Sequence, residues 1–148
     1  MNQTIYPIGI QNFESLRKDG YLYIDKTALI YQLVTTGRYY FLSRPRRFGK
    51  SLTLAMLEAY YDVRYADQFD ELFGKLYIGQ HPTSIHNQFL IMRFNFSEVS
   101  SNINEVEESF RLHCCGKLSD FVYRYEHLLG KDIWNVLDEK TQADPGAF

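Results

Sequence analysis

The groups best placed for chemistry lie in the stretch FLSRPRRFGKSLTLAMLEAYY, residues 41–61. Gly49-Lys50-Ser51 stands between an apolar run and a helix-forming segment. This is the setting of the loop G-x-x-x-x-G-K-[ST], in which successive backbone N–H groups curl around an anion at a helix N-terminus. In such a loop Gly49 lets the backbone approach phosphates, Lys50 reaches the β and γ phosphates as the catalytic candidate, and Ser51 offers a hydroxyl to Mg2+. The expected nucleotide contacts are Arg46, Arg47, Phe48, Gly49, Lys50, Ser51 and Leu52. Their N–H groups are all available because the loop's proline, Pro45, precedes them. ATP and Mg2+ are the cofactors this chemistry implies.

The first glycine of the pattern falls on Arg44. An arginine is penalised there only if the position needs a positive φ or close backbone contact, and Pro45 biases Arg44 toward the extended geometry of a strand end. Arg46 and Arg47 add planar cations suited to phosphate oxygens. The same basic run, with Phe48 inside it, admits a second reading: a non-catalytic interaction module whose arginine-rich loop contacts nucleic acid or a partner protein. Its placement between a strand and a helix favours the nucleotide.

Other candidates read as structural. His81 and His86 lie in a loop-like stretch and His113 adjoins Cys114 and Cys115, but a metal site needs further converging ligands. The two cysteines read as helical core fillers rather than nucleophiles. The acidic EVEES segment, 105–109, reads as a solvated helix start where carboxylates complement the dipole.

The elements that must position the loop are legible in outline. NFESLRKDG, 12–20, has Asn12 as a cap and Gly20 as a stop and predicts a short helix. YLYID, 21–25, predicts a strand, and Asp25 caps a helix over 26–37 whose Leu29, Ile30 and Leu33 share a face. The run 39–43 predicts a buried strand, KSLTLAMLEAYYDV a buried helix, and QFLIMRFNF, 88–96, a second buried strand. Between them, 67–79 reads as a short helix and turn and 81–87 as a loop. A long amphipathic helix is expected from Asn104 to His127 and another helical stretch over 132–141; the tail 142–148 shows no signal. Strands alternating with helices predict an α/β fold with a mostly parallel sheet flanked by helices.

Bulk properties agree with a packed protein. The chain has 148 residues, 45% of them hydrophobic and 16% aromatic, with 12 Tyr and 11 Phe, about the size of one domain, 1–148. Some of these aromatics are expected to face parts that would complete the sheet. A net charge of −2 supplies no global pull toward nucleic acid or membrane. No apolar run approaches the roughly 18 residues that span a bilayer, and there is no signal-peptide pattern, so no membrane partner is expected. Adjacent cysteines suit neither a disulfide framework nor a C-x-x-C zinc site and fit a reduced, cytoplasmic setting.

YPIGIQNFESLRKDGYLYIDKT, YYFLSRPRRFGKSLTLAMLEAYY and LIMRFNFS together resemble the bacterial AAA-ATPase-like family, over residues 6 to about 100 and more weakly beyond. The R-P-R-R-F-G-K-S loop is specific to that family, arginine-for-glycine change included. The resemblance implies a P-loop NTPase domain, commonly followed by a PD-(D/E)XK nuclease-like domain through which nucleic acid would be a partner. It also implies that Gly49, Lys50 and Ser51 inherit the phosphate, β/γ and Mg2+ roles. Asp25-Lys26-Thr27 matches a family signature with no assigned role. The acidic Walker B strand of the family has no counterpart, and Asn95 stands where relatives carry aspartate. The chain is therefore expected to be the N-terminal part of one ATPase domain, truncated before Walker B, with hydrolysis in doubt because a carboxylate for Mg2+ and a water-orienting group are not identifiable.

Overall fold

The computed structural model describes residues 5–10, 12–37, 39–43, 45 and 49–136. They fall into two compact units, Met1–Leu90 and Ile91–Phe148. Among the described residues no helix is long and apolar enough to cross a membrane.

The first unit is a cluster of helices. Helix α1, Phe13–Lys18, begins where Asn12 Oδ1 accepts from Glu14 N at 2.8 Å and Ser15 N at 3.3 Å. It is followed by α2, Thr27–Thr36, and α3, Lys50–Tyr61. A 3-10 turn, Val63–Gln68, then leads to α4, Phe69–Phe73, and α5, Tyr77–Gln80. Helix α1 packs on α3 and α4, and α2 and α4 pack on α5. Their shared core is Phe13, Tyr60, Leu72, Phe73 and Ile78, each no more than 1% exposed. Tyr60 meets Phe73 edge to face at 5.6 Å, and its hydroxyl reaches the Thr83 backbone N–H and hydroxyl at 2.9 and 2.8 Å, so the buried phenol keeps a polar partner.

The mostly parallel α/β sheet expected for a P-loop NTPase fold is not formed. Among the described residues there is no β-strand, and the β pairing consists of single parallel bridges, Ile5 to Tyr21 and Asp62 to Phe89. The run 39–43, expected to be a buried strand, leaves Tyr39 and Phe41 95% and 92% exposed. Phe89, Met92 and Phe94 of the other expected strand are also exposed. The physical reason is non-local. An apolar run is a stable parallel strand only with neighbours on its hydrogen-bonding edges and cover on both faces. Here the helix faces of α1, α3, α4 and α5 cover one another instead.

Two polar junctions hold the helices. At the first, Asp25 Oδ1 accepts from Thr27 N at 2.8 Å and Thr27 Oγ1 at 2.6 Å, while its Oδ2 accepts from Tyr77 N at 2.8 Å. The fully buried Thr27 hydroxyl in turn accepts from Ile78 N at 3.1 Å. One Asp-x-Thr unit thus ties the first amide of α2, whose N-cap position is Lys26, to the first amides of α5. At the second, the last carbonyls of α3 are taken by the segment that crosses it. Asn87 N donates to Tyr60 O, Phe89 N to Tyr61 O, and Asn87 Nδ2 to Ala59 O and Asp62 O, all between 2.8 and 3.1 Å. Asn87 is buried with φ 51°, a left-handed conformation that asparagine tolerates better than most residues. The buried Asp62 carboxylate binds Arg64 through Nε at 2.9 Å and Nη2 at 2.6 Å.

The second unit is built on α6, Val106–Leu129, in which Val122 and Tyr125 are buried. The Tyr125 hydroxyl accepts from Ile91 N at 2.9 Å, and its ring meets Phe121 edge to face at 4.9 Å. Residues 133–136 are helical, and the remainder of the helix expected over 132–141 lies outside the described residues.

Burial acts to raise the Asp25 pKa, but hydrogen bonds from Thr27 and Tyr77, helped by the Arg17 charge, outweigh it and hold the carboxyl below its ordinary value. With the folded pKa below the unfolded one, this contribution is complete above about pH 4 and fades as pH falls through the folded value. Asp25→Asn, whose amide nitrogen would oppose the Tyr77 N–H, should lower stability by about 0.5–2 kcal/mol at neutral pH and flatten the acid limb of a urea-denaturation pH series. Thr27→Val, which strips the Ile78 N–H of its acceptor, should cost about 1–3 kcal/mol in the same measurement. Asn87→Ala should destabilise by about 1 kcal/mol more than Asn87→Gly, because only glycine keeps the left-handed backbone without strain.

Candidate functional site

The site is the mouth of α3. Gly49 precedes the helix with φ 77° and ψ 14°, the left-handed conformation, and a Cβ built there would meet nothing within 4 Å. Backbone conformation, rather than space, therefore calls for glycine. The first intrahelical bond is Thr53 N to Gly49 O at 2.9 Å, reinforced by Thr53 Oγ1 at 3.0 Å. The amides of Ser51 and Leu52 lie ahead of that bond, so the helix itself offers them no acceptor, and they stand at its positive end.

Helix α3 cannot easily shift to hide this end. Its Met56, Ala59 and Tyr60 are buried in the core, Leu52 packs partly against it, and its carbonyl end is closed by residues 87–89. Ser51 is exposed and Lys50 half-buried. The Lys50 ammonium donates to Pro45 O at 2.9 Å. The structure thus brings Gly49, Lys50, Ser51 and Leu52 together at one helix start. Arg46, Arg47 and Phe48 lie outside the described residues, as does Arg44.

This arrangement fits an anion: a left-handed entry, backbone amides ahead of the first internal hydrogen bond, a positive helix end and a primary ammonium close by. Ser51 can contribute a hydroxyl to a cation. Among the described residues no group of three His, Cys, Asp or Glu side chains converges as a metal site.

The remaining polar candidates are engaged in packing. His86 stacks on Phe69 at 4.2 Å and contacts Asn87 Oδ1 at 3.0 Å, and His81 stacks on Tyr77 at 4.5 Å. Cys114 and Cys115 are free thiols of intermediate burial on α6. Asn95 caps the 3-10 turn Phe96–Glu98, accepting from Ser97 Oγ at 2.7 Å. Sequence reasoning assigned no role to Asp25-Lys26-Thr27 beyond capping. The second bond, to Tyr77 N, spans two distant segments, and only the local Asp-x-Thr half left a sequence signal.

Comparison with known proteins covers most of the chain. A family model described as a predicted AAA-ATPase matches residues 7–144. An uncharacterized protein from the vnfD 5' region of Azotobacter chroococcum mcd 1 is 55% identical over 58 residues, which are 38% of this chain and 11% of that protein. The match therefore spans roughly a tenth of that relative's length. No solved structure is significantly similar. With a match running nearly end to end through the Gly49-Lys50-Ser51 turn and the Asp25-Thr27 junction, the chain belongs to the predicted AAA-ATPase family.

Proposed function

We propose that the mouth of α3 binds the phosphates of ATP together with Mg2+. The observation that carries this reading is the left-handed turn at Gly49, which starts α3 with the Ser51 and Leu52 amides ahead of its first internal hydrogen bond. Membership of a predicted ATPase family supports the choice of nucleotide over other anions. Lys50 serves the β and γ phosphates, exchanging its bond to Pro45 O for phosphate oxygens. Ser51 gives one ligand to Mg2+, and the nucleotide's own oxygens give others. Bound Mg2+ would supply charge neutralisation between the β and γ phosphates.

Binding of this kind stabilises the folded chain by mass action, by about 2.7 kcal/mol when ligand is at a hundred times its Kd. Thermal unfolding with increasing Mg-ATP should therefore show a rising midpoint, and Lys50→Ala should abolish the rise while leaving the ligand-free midpoint close to that of the wild type. Equal protection in Lys50→Ala, or none in the wild type at millimolar nucleotide, overturns the reading. Oligonucleotide binding that falls steeply with salt and ignores Mg2+ would favour the interaction module instead. Gly49→Ala forces a Cβ into the left-handed region at a cost of about 1–2 kcal/mol, and it should weaken Mg-ATP binding in the same titration.

A further inference from the structure

Helices α1 and α3 begin in opposite ways. At α1 the Asn12 side chain reaches forward, and its Oδ1 occupies the Glu14 and Ser15 amides at 2.8 and 3.3 Å. The corresponding amides of α3 are those of Ser51 and Leu52, but Gly49 at the cap position makes no side-chain bond to them. A capping side chain does two things at once: it satisfies amides, and it fixes the angle at which the chain enters the helix. Glycine does neither, and it is the residue type with the greatest backbone freedom.

In α3 the entry is fixed from inside the helix. Thr53, one turn in, donates to the Gly49 carbonyl twice, through its backbone N at 2.9 Å and its hydroxyl at 3.0 Å. Two donors match the two lone pairs of that oxygen. Because the peptide unit is planar and trans, a carbonyl held along α3 also fixes the N–H of the same unit, on Lys50, in the opposite direction. The hydroxyl therefore acts on the first peptide plane of the helix without occupying the Ser51 or Leu52 amide. Threonines bond back in α2 as well, where the Thr35 and Thr36 hydroxyls reach the Tyr31 and Gln32 carbonyls. Those acceptors lie within a helix whose own ladder orients them, whereas the Gly49 carbonyl belongs to a left-handed cap residue with φ 77°.

We infer that Thr53 is a positioning residue for the phosphate-binding turn: its hydroxyl, bonded to the Gly49 oxygen, holds the first peptide plane of α3 in the left-handed entry without consuming an amide. The inference rests on the proposed nucleotide site for its functional meaning, whereas its geometry concerns the ligand-free protein. Thr53 thus does for α3 what the Asn12 side chain does for α1, from the opposite side of the turn.

The test compares Thr53→Val, which keeps the branched shape and loses the hydroxyl, with Thr53→Ser, which keeps the hydroxyl. Each is read by Mg-ATP titration and, without ligand, by the residual dipolar coupling of the Lys50 N–H measured against those of residues 56–60, deeper in α3. Thr53→Val should weaken Mg-ATP binding about five-fold, the loss of one hydrogen bond, and should move the Lys50 coupling relative to the rest of the helix. Thr53→Ser should restore both. The ligand-free unfolding midpoint should stay close to that of the wild type in both variants, because a back-bonded hydroxyl adds little to helix stability. Unchanged affinity or an unchanged Lys50 coupling in Thr53→Val overturns the inference, as does a loss of affinity that Thr53→Ser does not restore. If the wild type shows no protection by Mg-ATP, the nucleotide reading fails by itself, and the Lys50 coupling still decides whether Thr53 holds the turn.

Discussion

The first unit depends on how the two ends of α3 are treated. Any helix leaves carbonyls at one end and amides at the other without internal partners. In α3 the carbonyl end is closed by protein: the backbone N–H groups of Asn87 and Phe89 and the Asn87 amide take Ala59, Tyr60, Tyr61 and Asp62 oxygens. The amide end is entered through a left-handed glycine, and the Ser51 and Leu52 amides precede the first internal hydrogen bond of the helix. With Tyr60 fully buried among Phe13, Phe69 and Phe73, the helix is pinned in its middle and closed at its carbonyl end.

Polar contacts join α2 to α5. Asp25 and Thr27 bond the first amides of α2 and α5 with one set of oxygens, so the separation between these two helices is fixed by hydrogen bonds of definite length. Tyr23, beside them, has its phenol pushed up to about 12 by burial and by the Asp25 charge, against the Arg17 guanidinium that lies 5.6 Å over its ring. Apolar contacts tolerate sliding, and directional bonds do not. Helices joined in this way keep their spacing more strictly than helices joined by apolar contact alone.

In the second unit α6 carries much of its polarity in local pairs. Arg111 binds Glu108 in a two-pronged contact at 2.6 and 2.9 Å, and Lys117 and His113 both approach Glu98, at 3.4 and 3.5 Å. Phe94, Phe96 and Phe110 form a ladder of stacked rings on the same unit, with neighbouring centroids 5.7 Å apart. These contacts order the segment 94–99 against α6 through aromatic faces and a shared carboxylate.

The sequence by itself determined what is local. Asn12 as a cap for α1, α3 beginning at the Gly-Lys-Ser turn, and the long α6 were all legible, because capping and the φ of glycine are decided within a few residues; Asp25 does bond the first amide of α2, but the cap position itself is Lys26. The family was legible for the same reason, through the unbroken R-P-R-R-F-G-K-S loop and the segments around it. The sheet was misjudged because the apolar runs 39–43 and 88–96 state only a preference for burial, and pairing depends on which distant segment arrives alongside. The second half of the Asp25 junction and the closing of the α3 carbonyls by Asn87 both join residues that local pattern does not connect. Only the tertiary structure could decide them, since it sets which orphan donors and acceptors meet and which stay open to a ligand.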